Sequence, residues 1–171
     1  MKDIKFLEYL YATLATWGLH RMGGVHMKNF EEFKKEVNKI AHKLEEIKNI
    51  KLGNSEAIKE NEKLIKEDIF SSLNITSSSR PIIPNSKLLH HLHPNLFPPV
   101  DREHVLKYLY CSKFPCKATE EKEIFIEIIK EYSEFYQQNS RLIKKIQNKY
   151  HTGMETSITK IIDNIVVGLS L

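Results

Sequence analysis

Apolar residues recur every three or four positions along most of this chain, which is the spacing of helices that bury one face. The pattern predicts helices over residues 4–21, 29–50, 55–73, 119–138 with a continuation over 140–150, and 154–169. Asn29 is placed to cap the second helix, and Asn54 or Ser55 the third. No strand-like alternation of useful length occurs. The sequence therefore predicts an all-α fold, a compact single-domain array of about six to seven helices over residues 1–171.

The helical pattern stops in the middle of the chain. Residues 74–85 carry a serine run and two prolines, Pro81 and Pro84, which predicts a loop. Residues 86–93 are then expected to form a short helix with Asn85 or Ser86 as its cap. After the Pro98-Pro99 link, Asp101 is expected to cap another helix that runs to about Tyr110.

Composition narrows the class of protein. Apolar residues make up 41% and charged residues 28% of 171 residues, which is typical of a globular domain. The net charge of +4 permits binding to nucleic acid, although a solvated Lys/Glu surface explains it equally well. Cys111 and Cys116 are too few for a disulfide framework and are expected to be reduced thiols.

No apolar run is long enough to cross a membrane, so no membrane partner is predicted. The N-terminal run from Phe6 to Gly18 is interrupted by Glu8 and resembles a core helix more than a signal peptide. The expected location is the cytoplasm. No cofactor is predicted, and the sequence leaves the oligomeric state open.

Residues 85–108 contain the chemically unusual part of the chain. His90, His91 and His93 fall close together, Lys87 lies in the first turn of the predicted short helix, and Asp101 starts the next helix. Two helix starts joined by a short apolar link are expected to face one cleft. A lysine held there beside apolar residues loses its proton more easily and becomes a nucleophile.

These segments resemble the helix-hairpin-helix DNA glycosylases, especially those of the 8-oxoguanine type. Lys87–Leu92 is similar to the family's lysine-containing helix, and Val100–Leu106 is similar to its aspartate-containing segment. The resemblance implies that Lys87 attacks the sugar C1′ and forms a Schiff base, and that Asp101 assists loss of the base. It also implies DNA as a partner, held at the helix starts by backbone amides.

The chain differs from that family in two places. Residues 82–86 contain no glycine where the family carries glycines before its lysine, and Glu103 is inserted in the aspartate segment. Binding without catalysis therefore stays open beside base excision. The expected contacts to nucleic acid are Arg21, Asn85, Ser86, His90, His91, Arg102 and His104.

A second resemblance covers more of the chain. Residues 15–23 and 85–102 are similar to two stretches shared by a set of uncharacterised prokaryotic helical proteins: Ala-Thr-Trp-Gly-x-His-Arg-Met-Gly, and Asn-Ser-Lys-x-Leu-His-His-Leu followed by Pro-Pro-x-Asp-Arg. It implies that both stretches belong to one kind of protein, and it implies no activity.

Less specific interpretations of the same residues also stand. Lys87 fits a solvated lysine near a helix start, and Asp101 fits a simple N-cap. The pairs His90/His93 and Asp101/His104 each have the spacing of one helix face, which allows a zinc or iron site. Residues 144–150 fit either a nucleic-acid contact or an ordinary charged helix face. A non-catalytic structural or interaction protein is the remaining alternative.

Overall fold

The computed structural model describes residues 3–19, 26–112, 116–149 and 157–170. These residues contain seven α-helices: α1 (Ile4–Leu14), α2 (Phe30–Glu46), α3 (Ser55–Glu60), α4 (Ile82–Leu92), α5 (Lys107–Tyr110), α6 (Glu121–Lys149) and α7 (Ile158–Leu169). π-Helical segments extend or connect them at Ala15–Leu19, Leu64–Phe70 and Arg102–Leu106, and a 3-10 turn at Ala118–Glu120 leads into α6. The described residues contain no strand, only an isolated bridge between Met27 and Thr76. The all-α prediction is confirmed.

The buried apolar side chains form one continuous core. It extends from Leu7 on α1 to Val166 on α7 and includes residues of every helix except the short α5 among its buried members. The long α6 packs along α7 and against the segment Leu64–Phe70, while α4 lies between α1 and α6. The core therefore ties α4 and α7, which carry the candidate site, to the rest of the fold.

Several helix boundaries follow the capping residues in the sequence. The side chains of Asn29 and Asn54 accept hydrogen bonds from Glu32 N and Ala57 N at 3.0 and 3.1 Å. The first helix ends earlier than predicted, because Gly18 adopts a left-handed φ of 86°. The predicted 119–138 and 140–150 helices are joined into α6 through Asn139, whose φ of −118° departs from helical geometry.

The start of α4 corrects the sequence prediction. The helix begins at Ile82 and not at Ser86, so the end of the predicted loop is helical. Pro84 is compatible with this because it lies in the first turn, where a backbone N–H has no partner within the helix. The carboxylate of Glu121 on α6 accepts a hydrogen bond from Ile82 N at 2.8 Å and is itself paired with Arg80. A distant side chain thus caps α4, and Lys87 lies in its second turn.

None of the described helices combines the length and apolar character needed to cross a lipid bilayer.

Candidate functional site

A cavity of about 220 Å³ brings together residues from four parts of the chain. Its wall combines one aromatic ring, three basic or titratable nitrogen side chains and two carboxylates: Trp17, Lys87, Lys160, His104, Asp101 and Asp163. Pro99, Val100 and Val167 complete it with apolar surface. Lys87 and Asp101, predicted to face one cleft, do line the same cavity.

Lys87 reaches this cavity from the second turn of α4. Its Nζ donates a hydrogen bond to Trp17 O at 3.2 Å and lies 5.8 Å from the centre of the Trp17 ring. Burial lowers the pKa of the Lys87 amine, and the negative charges of Asp101 and Asp163 oppose that decrease. A larger fraction of this amine is therefore neutral than for a solvated lysine.

Asp101 is the N-cap of the helix that begins at Arg102. Its Oδ1 accepts hydrogen bonds from Glu103 N at 2.8 Å and His104 N at 3.2 Å. The capping interpretation is confirmed. It is compatible with a second role, because the same residue lines the cavity that holds Lys87.

Lys160 and Asp163 of α7 were not singled out from the sequence. Lys160 Nζ lies 2.6 Å from Asp163 Oδ2, and Asp163 is only 4% exposed. Burial raises the pKa of the Asp163 carboxyl group, and the neighbouring Lys160 partly counteracts that increase. The one available signal was a Lys-x-x-Asp pair on an otherwise apolar helix, where ionised side chains seldom become buried without a partner.

Trp17 forms the aromatic wall of the cavity. The ammonium groups of Lys87 and Lys160 lie 5.8 and 5.7 Å from its ring centre, within the range of a cation–π interaction. Its ring also contacts His91, with ring centres 4.5 Å apart, and is stacked on His90 at 6.1 Å. The indole ring thus links α4 to α7.

Asn85, Ser86 and His90 point into the protein. Asn85 Nδ2 donates to Phe70 O at 3.0 Å and Leu73 O at 3.2 Å, and Ser86 Oγ accepts from Val100 N at 3.0 Å. His90 Nδ1 lies 2.9 Å from Phe97 O, which fixes the turn after α4. All three side chains are buried. Their visible role is to hold α4 and the link to Asp101, and they offer no surface to a nucleic acid in this conformation.

The other predicted contacts differ in their exposure. Arg102 is exposed, and His91 is partly buried against Trp17. His104 lines the cavity and its Nδ1 lies 2.9 Å from Ser170 Oγ. Arg21 lies outside the described residues. Of the nine predicted site residues, Lys87, Asp101 and His104 line the cavity. Arg102 does not line it, but it follows Asp101 directly in the sequence.

The alternative metal site does not assemble in the described part of the chain. No group of three or more His, Cys, Asp or Glu residues is arranged there to hold an ion. His93 Nε2 lies 3.1 Å from Ile47 O, whereas His90 and His104 contact Phe97 and Ser170. Cys111 and Cys116 are both free thiols.

Comparison of the chain with protein-family models, with curated proteins and with solved structures finds no match.

Proposed function

We propose that this chain binds nucleic acid and that Lys87 acts as an amine nucleophile on a sugar carbon, as the lysine of a helix-hairpin-helix DNA glycosylase does. The observation that supports the proposal is the shared cavity of Lys87 and Asp101, in which the amine is partly removed from water. An amine attacks carbon only in its neutral form, so the lowered pKa of Lys87 favours this chemistry near neutral pH.

The reaction begins with attack of the Lys87 Nζ lone pair on C1′. The bond between C1′ and the base breaks, and its electron pair leaves with the base. Asp101, close enough to act electrostatically on Lys87, stabilises the positive charge that develops on the sugar. Nζ then gives one proton to the departing base. The Nζ lone pair expels the ring oxygen as the C1′–O4′ bond breaks, O4′ takes a proton from solvent, and a protonated Schiff base joins Nζ to C1′.

The size of the cavity limits what enters it. A volume of about 220 Å³ lies below the range of roughly 300–1,000 Å³ that is typical of pockets for drug-sized ligands. A single sugar ring or base suits it better than a whole nucleotide. A duplex would therefore have to expose one nucleotide, and Trp17 provides an aromatic face beside the reacting amine.

Backbone amides at the two helix starts already have partners. Glu121 accepts from Ile82 N, and Asp101 accepts from Glu103 N and His104 N. Phosphate contacts in this proposal therefore depend on side chains around the cavity, chiefly Arg102 and Lys160. This differs from the amide contacts that the glycosylase resemblance implies.

The proposal is tested by borohydride trapping on duplexes that carry 8-oxoguanine, uracil or an abasic site. Borohydride reduces a Schiff base to a stable amine, so a covalent protein–DNA adduct reports its formation. We expect an adduct on at least one duplex, its loss in Lys87→Gln, and its retention in Lys59→Gln, which removes an exposed lysine of α3. An adduct that survives Lys87→Gln, or no adduct on any duplex, would contradict the enzymatic proposal.

A second candidate is a nucleic-acid-binding protein without catalysis. The hydrogen bond from Lys87 Nζ to Trp17 O favours it, because that bond gives the lysine a structural use. Retention on DNA that weakens with salt, without any covalent adduct, is the result expected for this candidate.

A further inference from the structure

The cavity contains a second carboxylate in a very different setting from Asp101. Asp163 lies on α7, is 4% exposed, and directs Oδ2 to within 2.6 Å of Lys160 Nζ. Asp163 and Lys87 line the same cavity, and the charge of Asp163 acts on the Lys87 amine. Burial of a carboxylate costs free energy, and the pairing with Lys160 offsets part of that cost while Asp163 still lines the cavity.

The two carboxylates have different partners. Asp101 Oδ1 accepts hydrogen bonds from two backbone N–H groups at a helix start, which fixes the orientation of its carboxylate. Asp163 receives no backbone N–H in the described structure and is held by a side chain of its own helix. Two neighbouring acids in unlike environments are the usual basis for dividing electrostatic and proton-transfer roles.

We propose that Asp163 transfers the protons during formation of a Schiff base on Lys87, and that Lys160 positions its carboxyl group. The inference depends on Lys87 being the nucleophile of the proposed function. It adds a proton donor and acceptor that the sequence did not indicate, and it does not require that the carbonyl substrate belong to DNA.

The simplest substrate for this step is an aldehyde. The neutral Nζ attacks the carbonyl carbon, and the oxygen takes the proton of the Asp163 carboxylic acid. The Asp163 carboxylate then takes a proton from Nζ, which leaves a neutral carbinolamine. In the last step the C–O bond breaks, the oxygen leaves as water with the proton of Asp163, and the Nζ lone pair completes the iminium ion.

Charged and titratable groups from every neighbouring element bear on Asp163. Lys160 of α7 and His104 lower its pKa, while burial and Asp101 raise it. Tyr132 of α6 is buried nearby, and the charge of Asp163 contributes to the raised pKa of its hydroxyl group. Lys87 faces the same carboxylate from α4. Burial thus outweighs the favourable partners, and the net effect is a raised pKa of the Asp163 carboxyl group.

The experiment measures the rate at which borohydride traps glycolaldehyde on Lys87, followed by intact mass and peptide mapping, and in parallel the rate on an abasic duplex. We expect Lys87→Gln to abolish labelling at this position. Asp163→Asn should lower the rate about 100-fold, the size of effect usual for general acid–base catalysis. Glu31→Gln breaks an exposed Lys–Glu pair of the same i,i+3 spacing and should leave the rate unchanged.

The pH dependence separates catalysis from a structural role. The wild-type rate should show a bell-shaped pH profile, because the step needs Lys87 in its neutral form together with Asp163 in its protonated form. Lys160→Gln removes a cation that lowers the pKa of both Lys87 and Asp163, so both limbs should move to higher pH. Thermal unfolding shows whether each variant folds. If Asp163→Asn does not fold, the movement of both pH limbs in Lys160→Gln tests whether Asp163 takes part in the reaction.

The outcomes distinguish the two proposals. If Lys87 is labelled by both reagents but Asp163→Asn stays within about two-fold of wild type, the role of Asp163 is overturned and the proposed function stands. If glycolaldehyde labels Lys87 in an Asp163-dependent way and the abasic duplex does not react, the nucleic-acid proposal fails and this inference stands. No labelling of Lys87 by either reagent overturns both.

Discussion

At the scale of single residues, His90 shows how a predicted contact residue becomes part of the core. Its Nδ1 lies 2.9 Å from Phe97 O, and a carbonyl oxygen only accepts, so Nδ1 carries the proton. Thr159 Oγ1 lies 3.1 Å from the same nitrogen and donates to Pro94 O. Burial lowers the pKa of His90 to about 4, and the hydrogen bond to Phe97 only partly opposes this. His90 is therefore neutral in the folded protein at neutral pH.

This neutral histidine predicts a loss of stability in acid. In the unfolded chain His90 binds a proton near its ordinary pKa of about 6.5, whereas in the folded chain it does so only near pH 4. The stabilising contribution is complete above pH 6.5 and is lost as the pH falls towards 4. Between pH 7.5 and 4.5, His90 should account for about 2 kcal/mol of the decrease in unfolding free energy.

Urea unfolding of wild type and His90→Gln at the two pH values measures this difference. The decrease should be smaller by about 2 kcal/mol in His90→Gln. His42→Gln provides the control, because the His42 side chain is 84% exposed. An equally steep decrease in His90→Gln would show that other groups are responsible.

At the scale of elements, α4 is positioned by side chains that the sequence assigned to nucleic-acid contacts. Asn85 donates to the backbone carbonyls of Phe70 and Leu73, which close the segment Leu64–Phe70, and Ser86 accepts from Val100 N in the link to Asp101. These hydrogen bonds hold the first turns of α4 and the link before Asp101 in place, and so bring Lys87 and Asp101 to one cavity. Their loss would move the cavity as well as weaken the fold.

Asn85→Ala should lower the unfolding free energy by about 2 kcal/mol, because it removes hydrogen bonds from two carbonyl groups in a buried setting. Denaturant unfolding of the purified variant measures this. Asn164→Ala changes the same residue type at an exposed position of α7 and should be neutral or slightly stabilising. Wild-type stability in Asn85→Ala, together with weaker DNA binding, would favour the surface role predicted from the sequence.

At the scale of the whole molecule, electrostatics sets the strength of the proposed binding. A net charge of +4 spread over 171 residues gives only a modest attraction to DNA. Two carboxylates, Asp101 and Asp163, line the cavity, and the nearby Arg102 is itself paired with Glu103 at 3.8 Å. Binding in this arrangement depends on a few local phosphate contacts rather than on a broad basic surface.

The affinity for duplex DNA should therefore fall with salt at a shallow slope, and Arg102→Gln should reduce the magnitude of that slope by about one. Fluorescence anisotropy across a salt series measures both quantities. Arg141→Gln, which removes an exposed arginine of α6 away from the cavity lining, should leave the slope unchanged. Equal effects of the two variants would indicate diffuse attraction without a defined site.

Features that depend on neighbours along the chain could be predicted from the amino-acid sequence. Helical spacing of apolar residues predicted the all-α fold, and the caps at Asn29, Asn54 and Asp101 are present. A cap is a hydrogen bond over two or three residues, so local order is enough to reveal it. The sequence also located the stretch that contains Lys87 and Asp101, because clustered titratable residues between prolines are visible without a fold.

Which side chains meet and which become buried depends on the packing of helices that are distant in the chain. α4 begins at Ile82 because Glu121, which is 39 positions away, accepts its first N–H. Packing of α7 against the turn that carries His104 adds Lys160 and Asp163 to the cavity, and packing of α4 buries Asn85, Ser86 and His90. Burial and long-range hydrogen bonds depend on how helices pack. The spacing of apolar residues along one helix shows which face is buried, but it does not identify the helix that packs against that face.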